Sequence, residues 1–378
     1  MRRNAFLLLA VAVGLAWGPL LRPAGQATII VGGIYSGALW QRDITALFTP
    51  EPRMRETREA FAGSAVRVSW WRPGWGDSHP AVMLVNGATR AGNDDRETRR
   101  LAEALARAGY LVMLPEFAFL KDGRLERDAT RAVADAFALM RALPETAGRA
   151  AGAFGFSVGG GILLAAAGTF SSLGRADYLA ALGAYFDMDT YLASVVSGEQ
   201  PRGAGLEAWF EDPEVRERLP AAAVATIGDS SGRARLLAAL DATGRPTTHD
   251  PPPDIDPSAA AMWRALAAIN YGDVLSRLRA LPPDVRASFD ALSPRASWSH
   301  LTVPVLWLHD AGDRFEPISE AESAAAAARP GGTELYVSHL ISHAAPLGEP
   351  KGDAGLGFWA TELRTLLAFA MAVLRAAG

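Results

Sequence analysis

The sequence predicts an α/β protein: a mostly parallel sheet with helices on both faces and a helical cap inserted late in the chain. Two observations carry that prediction. Uncharged or nearly uncharged runs of strand length recur at residues 81–87 (AVMLVNG), 110–116 (YLVMLPE), 150–156 (AAGAFGF), 178–186 (YLAALGAYF) and 303–310 (VPVLWLHD), with helical patterns between them. Strands that are apolar throughout belong to a sheet buried on both faces, and intervening helices supply the crossovers that parallel strands require. The second observation is that this rhythm breaks between residues 188 and 298, where helix-like pieces at 205–218, 232–240 and 259–281 surround a proline-rich stretch, PTTHDPPPDIDP, that no sheet accommodates.

In chain order, VRVSWW at 66–71 reads as a strand that could pair in a hairpin with 81–87. A helix at 97–108, with Leu101 and Leu105 on one face, ends at Gly109. Helices at 127–143 and 158–167 flank the strand that ends at Phe156. After the insertion come a strand at 303–310, a helix through SEAESAAAAA, a strand at 334–338 and a last helix at 357–377. The chain therefore divides into 1–27, 28–187 (core, first part), 188–298 (helical cap) and 299–378 (core, second part).

Arg2 and Arg3 followed by an uncharged run at 5–21 have the form of an export signal, with Gly25 and Ala27 as small residues for cleavage. If it is retained, the same run anchors the protein to a membrane through its N-terminus. Either way the protein is expected outside the cytoplasm, secreted or held at the cell envelope. With 49% hydrophobic and 21% charged residues the chain can bury a large core. Lys and Arg number 37 against 41 Asp and Glu, a net charge of -4, so no basic field exists to grip nucleic acid. The chain has no cysteine, which excludes disulfides, thiolate metal sites and a thiol nucleophile.

Gly155-Phe156-Ser157-Val158-Gly159 matches GxSxG between an apolar strand and a helix. In that context the small flanking residues permit a sharp reversal that lifts the serine oxygen clear of the sheet. Ser157 is thus the candidate nucleophile. A serine needs a base, and among six histidines only His339 and His343 follow the last strand. His343 is preferred, because His339 directly continues the strand and has no length in which to turn. Asp313, just past strand 303–310, is the leading acid to orient the imidazole. Asp310 is closer to the strand end and suits a turn brace, with Asp187 and Asp189 as outside alternatives. The amides of Val158 and Ala88 are candidate oxyanion donors, with Asn86 and Gly87 shaping the second loop.

VNGAT, GFSVGG, HDAGDRFEP and SHLISHAAP together resemble the α/β-hydrolase superfamily, most closely its dienelactone-hydrolase-like and esterase or lipase branches. Asn86 stands where such proteins usually carry histidine, Asp310 where they usually carry glycine, and serine rather than cysteine at 157 argues against dienelactone hydrolysis itself. The resemblance implies a serine hydrolase that cleaves a small-molecule carboxylic ester through an acyl-enzyme, needing neither metal nor organic cofactor, and the N-terminal segment adds the expectation that it is exported. A peptidase or thioesterase on the same fold is the alternative, and a non-catalytic binding protein is the alternative of another class. Trp209, Phe210, Trp263 and Tyr271 in the insertion offer either an acyl pocket or, more simply, the cap's own core.

Overall fold

The computed structural model describes residues 22–40, 44–343 and 355–377. Its strands are β1 (Arg53–Phe61), β2 (Ser64–Arg72), β3 (Ala81–Val85), β4 (Leu111–Glu116), β5 (Ala151–Phe156), β6 (Tyr178–Leu182), β7 (Glu199–Arg202), β8 (Gly205–Ala208), β9 (Val305–Asp310) and β10 (Thr333–Ser338). Eight of these form one sheet in the order β1-β2-β4-β3-β5-β6-β9-β10. β2 is antiparallel to both β1 and β4, and every pairing from β4 through β10 is parallel. The hairpin expected between 66–71 and 81–87 is therefore absent, since β2 pairs with β1 through a turn in which Ala62 and Gly63 have φ of 46° and 78°. The sequence RMRETREAF hides β1 because it is charged and largely exposed, as suits the unpaired edge of a sheet.

Helices α1 (Arg22–Trp40), α2 (Arg96–Arg107), α3 (Ala118–Asp122), α4 (Ala129–Arg141) and α5 (Ser157–Thr169) come before the insertion. One face of the sheet packs on α4 and α5, with Phe137, Met140, Leu163 and Leu164 fully buried. The other face carries α1, α2 and the terminal helix. The run at 1–21 lies outside the described residues. The boundary expected at residue 27 falls inside α1, where Ala27 and Ile30 are buried and the Gln26 side chain donates to the Ala108 carbonyl at 2.9 Å.

The insertion comprises α6 (Met188–Ser197), the β7–β8 hairpin, α7 (Pro213–Val224), α8 (Ser230–Ala239), α9 (Pro257–Leu266), α10 (Tyr271–Arg279), α11 (Pro283–Leu292) and the short α12 (Pro294–Ser297). Two helical expectations need correction. Residues 205–218 are half strand and half helix, because Asp212 caps a helix that begins at Pro213. Residues 259–281 are two helices, because the Asn270 side chain accepts the Asp273 amide and opens the second. The insertion is tied to the loop after β9: the Trp209 indole donates to the Asp313 carbonyl at 2.8 Å, and Arg314 Nε donates to the Phe210 carbonyl at 3.0 Å. Helices α13 (Ile318–Ala327) and α14 (Leu356–Ala376) complete the fold. Among the described residues one helical stretch, Gly357–Ala376, is long and apolar enough to cross a bilayer, and here it packs on α1 and β10.

Candidate active site

β5 runs directly into α5, and the change of direction falls on Ser157, whose φ is 51°. That backbone conformation is costly for a residue with a side chain and persists only where its surroundings impose it. Gly87 lies against the serine, so that a Cβ there would sit 3.0 Å from the Ser157 Cβ. Among the described residues only three non-glycine residues have positive φ, and two of them are Ser157 and His343, the latter at 50°.

His343 follows β10 after a short excursion. Its backbone amide donates to Asp310 Oδ2 at 3.1 Å, and its Nδ1 lies 2.9 Å from Asp313 Oδ2. Phe315 stacks on the imidazole with centroids 4.6 Å apart. Asp313 is held in turn by the amides of Phe315 and Glu316, which donate to its Oδ1 at 2.7 and 3.1 Å. Burial opposes ionisation of Asp313, but the adjacent imidazole outweighs it and the carboxyl stays below its ordinary range. Gly183, at φ 53°, backs this pair: a Cβ there would lie 2.9 Å from His343 Nδ1 and 3.1 Å from Asp313 Oδ2.

Sequence reasoning missed Glu316. It is completely buried, its Oε1 accepts the Ser157 hydroxyl at 2.7 Å, and its Oε2 lies 3.2 Å from His343 Nδ1. Among the described residues Ser157 is bonded to this carboxylate, and no bond joins it to His343. Burial pushes the Glu316 carboxyl up to about 8, against the pull of the imidazole. For His343, burial lowers the pKa, but Asp313 and Glu316 outweigh it and carry it to about 9. An acid between Phe315 and Pro317 reads in sequence as a helix-start residue, and only its packing beneath Ser157 gives it away. Asp313, Glu316 and His343 each offer a ligand atom within 4.8 Å of the others. A His–Asp hydrogen bond and a His–Glu ion pair produce that closeness by themselves, so it does not point to a cation.

The remaining candidates separate clearly. Asp310 braces the turn, accepting the Gly312 and His343 amides. Asp187 and Asp189 pair with Arg295 and Arg286 and take no part in the cluster. His339 pairs with Glu362 of α14, and His309 is sealed in the interior with its ring 3.1 Å from the Glu316 carbonyl oxygen. Val158, in the first turn of α5, and Ala88 both line the cavity that Ser157 and His343 share, and first-turn amides have no acceptor within their helix. Asn86 turns inward to donate to the Gly92 carbonyl. Trp209, Trp263 and Tyr271 are buried within the insertion and Phe210 is exposed; none of the four lines the cavity.

No family model matches the chain, and no curated protein matches it. Among solved structures it is similar to 2,6-dihydroxy-pseudo-oxynicotine hydrolase, with 14% identity and a TM-score of 0.50 over 86% of this chain and 68% of that one. Brefeldin A esterase, a bacterial homologue of human hormone-sensitive lipase, aligns at 16% identity and a TM-score of 0.49 over 93% and 85%. Dienelactone hydrolase from Anabaena variabilis aligns at 14% and 0.44 over 85% and 96%. At such identity the likeness to the first of these establishes the fold and nothing finer.

Proposed function

In a chain that has the α/β-hydrolase fold, we propose that Ser157, His343 and Asp313 are the nucleophile, base and orienting acid of an exported serine hydrolase acting on a carboxylic ester. One observation carries this reading. The serine at the strand-to-helix turn and the imidazole held on a buried carboxylate are both fixed in strained backbone and open onto a single cavity.

In the proposed reaction Ser157 Oγ leaves Glu316 and turns to His343 Nε2, a tightening that substrate binding commonly brings about. The hydroxyl attacks the ester carbonyl while Nε2 takes its proton. Asp313 holds Nδ1–H and stabilises the imidazolium. The amides of Val158 and Ala88 donate to the oxyanion, each worth about 2.7–4 kcal/mol of barrier. Nε2 then returns the proton to the departing alcohol oxygen, leaving an acyl-serine that water, deprotonated by the same imidazole, releases as the carboxylic acid.

The test is labelling by a fluorophosphonate together with turnover of p-nitrophenyl acetate. Wild type is expected to label and to turn over, and Ser157→Ala to do neither. Folded wild type that resists the probe, or label that survives Ser157→Ala, removes the proposal.

A further inference from the structure

The cavity that holds Ser157 and His343 has a volume of about 380 Å³ and extends well beyond them. Its walls differ at the two ends. At the carboxyl edge of the strands charged residues, Asp95 and Glu97 at the start of α2, Arg124 beyond α3, and Glu214 and Arg218 on α7, stand among apolar ones, Phe119 and Leu120 of α3 and Val215 and Leu219 of α7. In the other direction the cavity passes under the sheet between the strands and the pair α1 and α14. Both ends of β6, Tyr178 and Leu182, line this arm, so it runs about 13 Å along the strand at ~3.3 Å per residue.

The wall of this arm is apolar and regular. On α14, Leu366, Phe369, Ala370, Val373 and Leu374 all line it, which is the spacing of a single helix face. Ile30 and Ile34 of α1 stand among the lining residues with them. Protein interiors close-pack with few voids larger than a water molecule, and water gains little in a chamber whose walls offer it almost no hydrogen bonds. A chamber of this shape and lining, opening at the nucleophile, suits a flexible hydrocarbon chain attached to the reacting carbonyl.

We infer that the substrate is an ester of a medium- or long-chain fatty acid with a polar alcohol, its acyl chain lying between the sheet and α1 and α14 and its alcohol at the charged mouth. This inference rests on the proposed reaction at Ser157, and names the substrate class for it. The insertion contributes Glu214 and Arg218 to the mouth beside Asp95, Glu97 and Arg124 of the core, and the two terminal helices with the sheet form the acyl arm, so the arm lies away from the cap tryptophans.

The experiment is kcat/KM for p-nitrophenyl esters from acetate upward in even chain lengths, below their critical micelle concentrations. With each added methylene buried, the value is expected to rise roughly fourfold until the arm is filled. Ala370→Trp, which narrows the arm, is expected to lower the value for the longest ester at least about tenfold more than it lowers the value for acetate. As a readout that needs no variant, saturated fatty acids should inhibit wild-type acetate turnover competitively, more tightly as they lengthen. Acetate turnover with a flat or falling dependence on chain length overturns the acyl arm and leaves the serine reading standing. Loss in Ala370→Trp that is equal for all esters does the same. Absence of turnover and label in folded wild type overturns both.

Discussion

The Ser157 hydroxyl donates its hydrogen bond to the Glu316 carboxyl in this structure, and that places the chemistry of Glu316 at the centre of the residue scale. The imidazole acts as a base only when neutral, and two buried carboxylates hold its proton on. Turnover should therefore rise with pH as His343 deprotonates, with kcat/KM still climbing toward about 9. Glu316, raised to about 8, is an anion over the upper part of that climb, so Glu316→Gln removes a charge that favours the imidazolium there and the acid limb of the kcat/KM profile is expected to move to lower pH. A limb that stays put or moves upward would show that Glu316 does not act on His343. In the proposed reaction Asp313 has a different part, that of fixing the tautomer. Asp313→Asn is expected to lower kcat by about 10⁴-fold at neutral pH with the fold intact by circular dichroism, and a loss of less than about tenfold would remove it as the orienting acid.

At the scale of elements, a buried acid ties down the loop that borders the site. Glu320 on α13 accepts the amides of Phe186 and Asp187 at 2.9 and 2.8 Å and the Thr190 hydroxyl at 2.5 Å, bracing the chain where β6 leads into α6. It is 1% exposed. Glu320→Ala strands those donors and is expected to destabilise the protein by about 3 kcal/mol, with a smaller loss for Glu320→Gln, read from the urea midpoint. The central elements could be read in the sequence because uniformly apolar strands and amphipathic helices leave local signatures. Ser157, Asp313 and His343 stood out because each follows a legible strand. β1 and Glu316 stayed hidden for the opposite reason. A charged edge strand looks like loop, and a buried acid is indistinguishable from a surface one until a partner from another part of the chain covers it. The acyl arm is also invisible in sequence, since it is made by α1, α14 and the sheet, which meet only on folding.

Across the whole molecule the buried site makes folding depend on pH. Burial is the chief cause that raises Glu320 to about 7 and Glu316 to about 8. A folded acid with a raised pKa binds its proton more tightly than the unfolded chain does, so its contribution is lost as pH climbs from the ordinary carboxyl range through the folded value. His343, also raised, contributes below its ordinary value and loses that contribution as pH passes about 9. All three act in the same direction, and His309, held down by burial, opposes them only below its ordinary value of 6.5, so the urea midpoint is expected to fall between pH 6.5 and pH 9, and to fall less steeply in Glu320→Gln. A midpoint that rises across that interval would contradict the burial of these groups.

Gly183 has no functional group and touches no reacting atom of a substrate, yet the imidazole and its carboxylate rest directly on it. A single methyl at that position would act as a wedge, prising the pair away from Ser157 while leaving every chemically competent side chain in the sequence. If the proposed reaction holds, its machinery reaches one layer further than its own chemistry, and a change at 183 is expected to silence the protein with every proposed reacting residue intact.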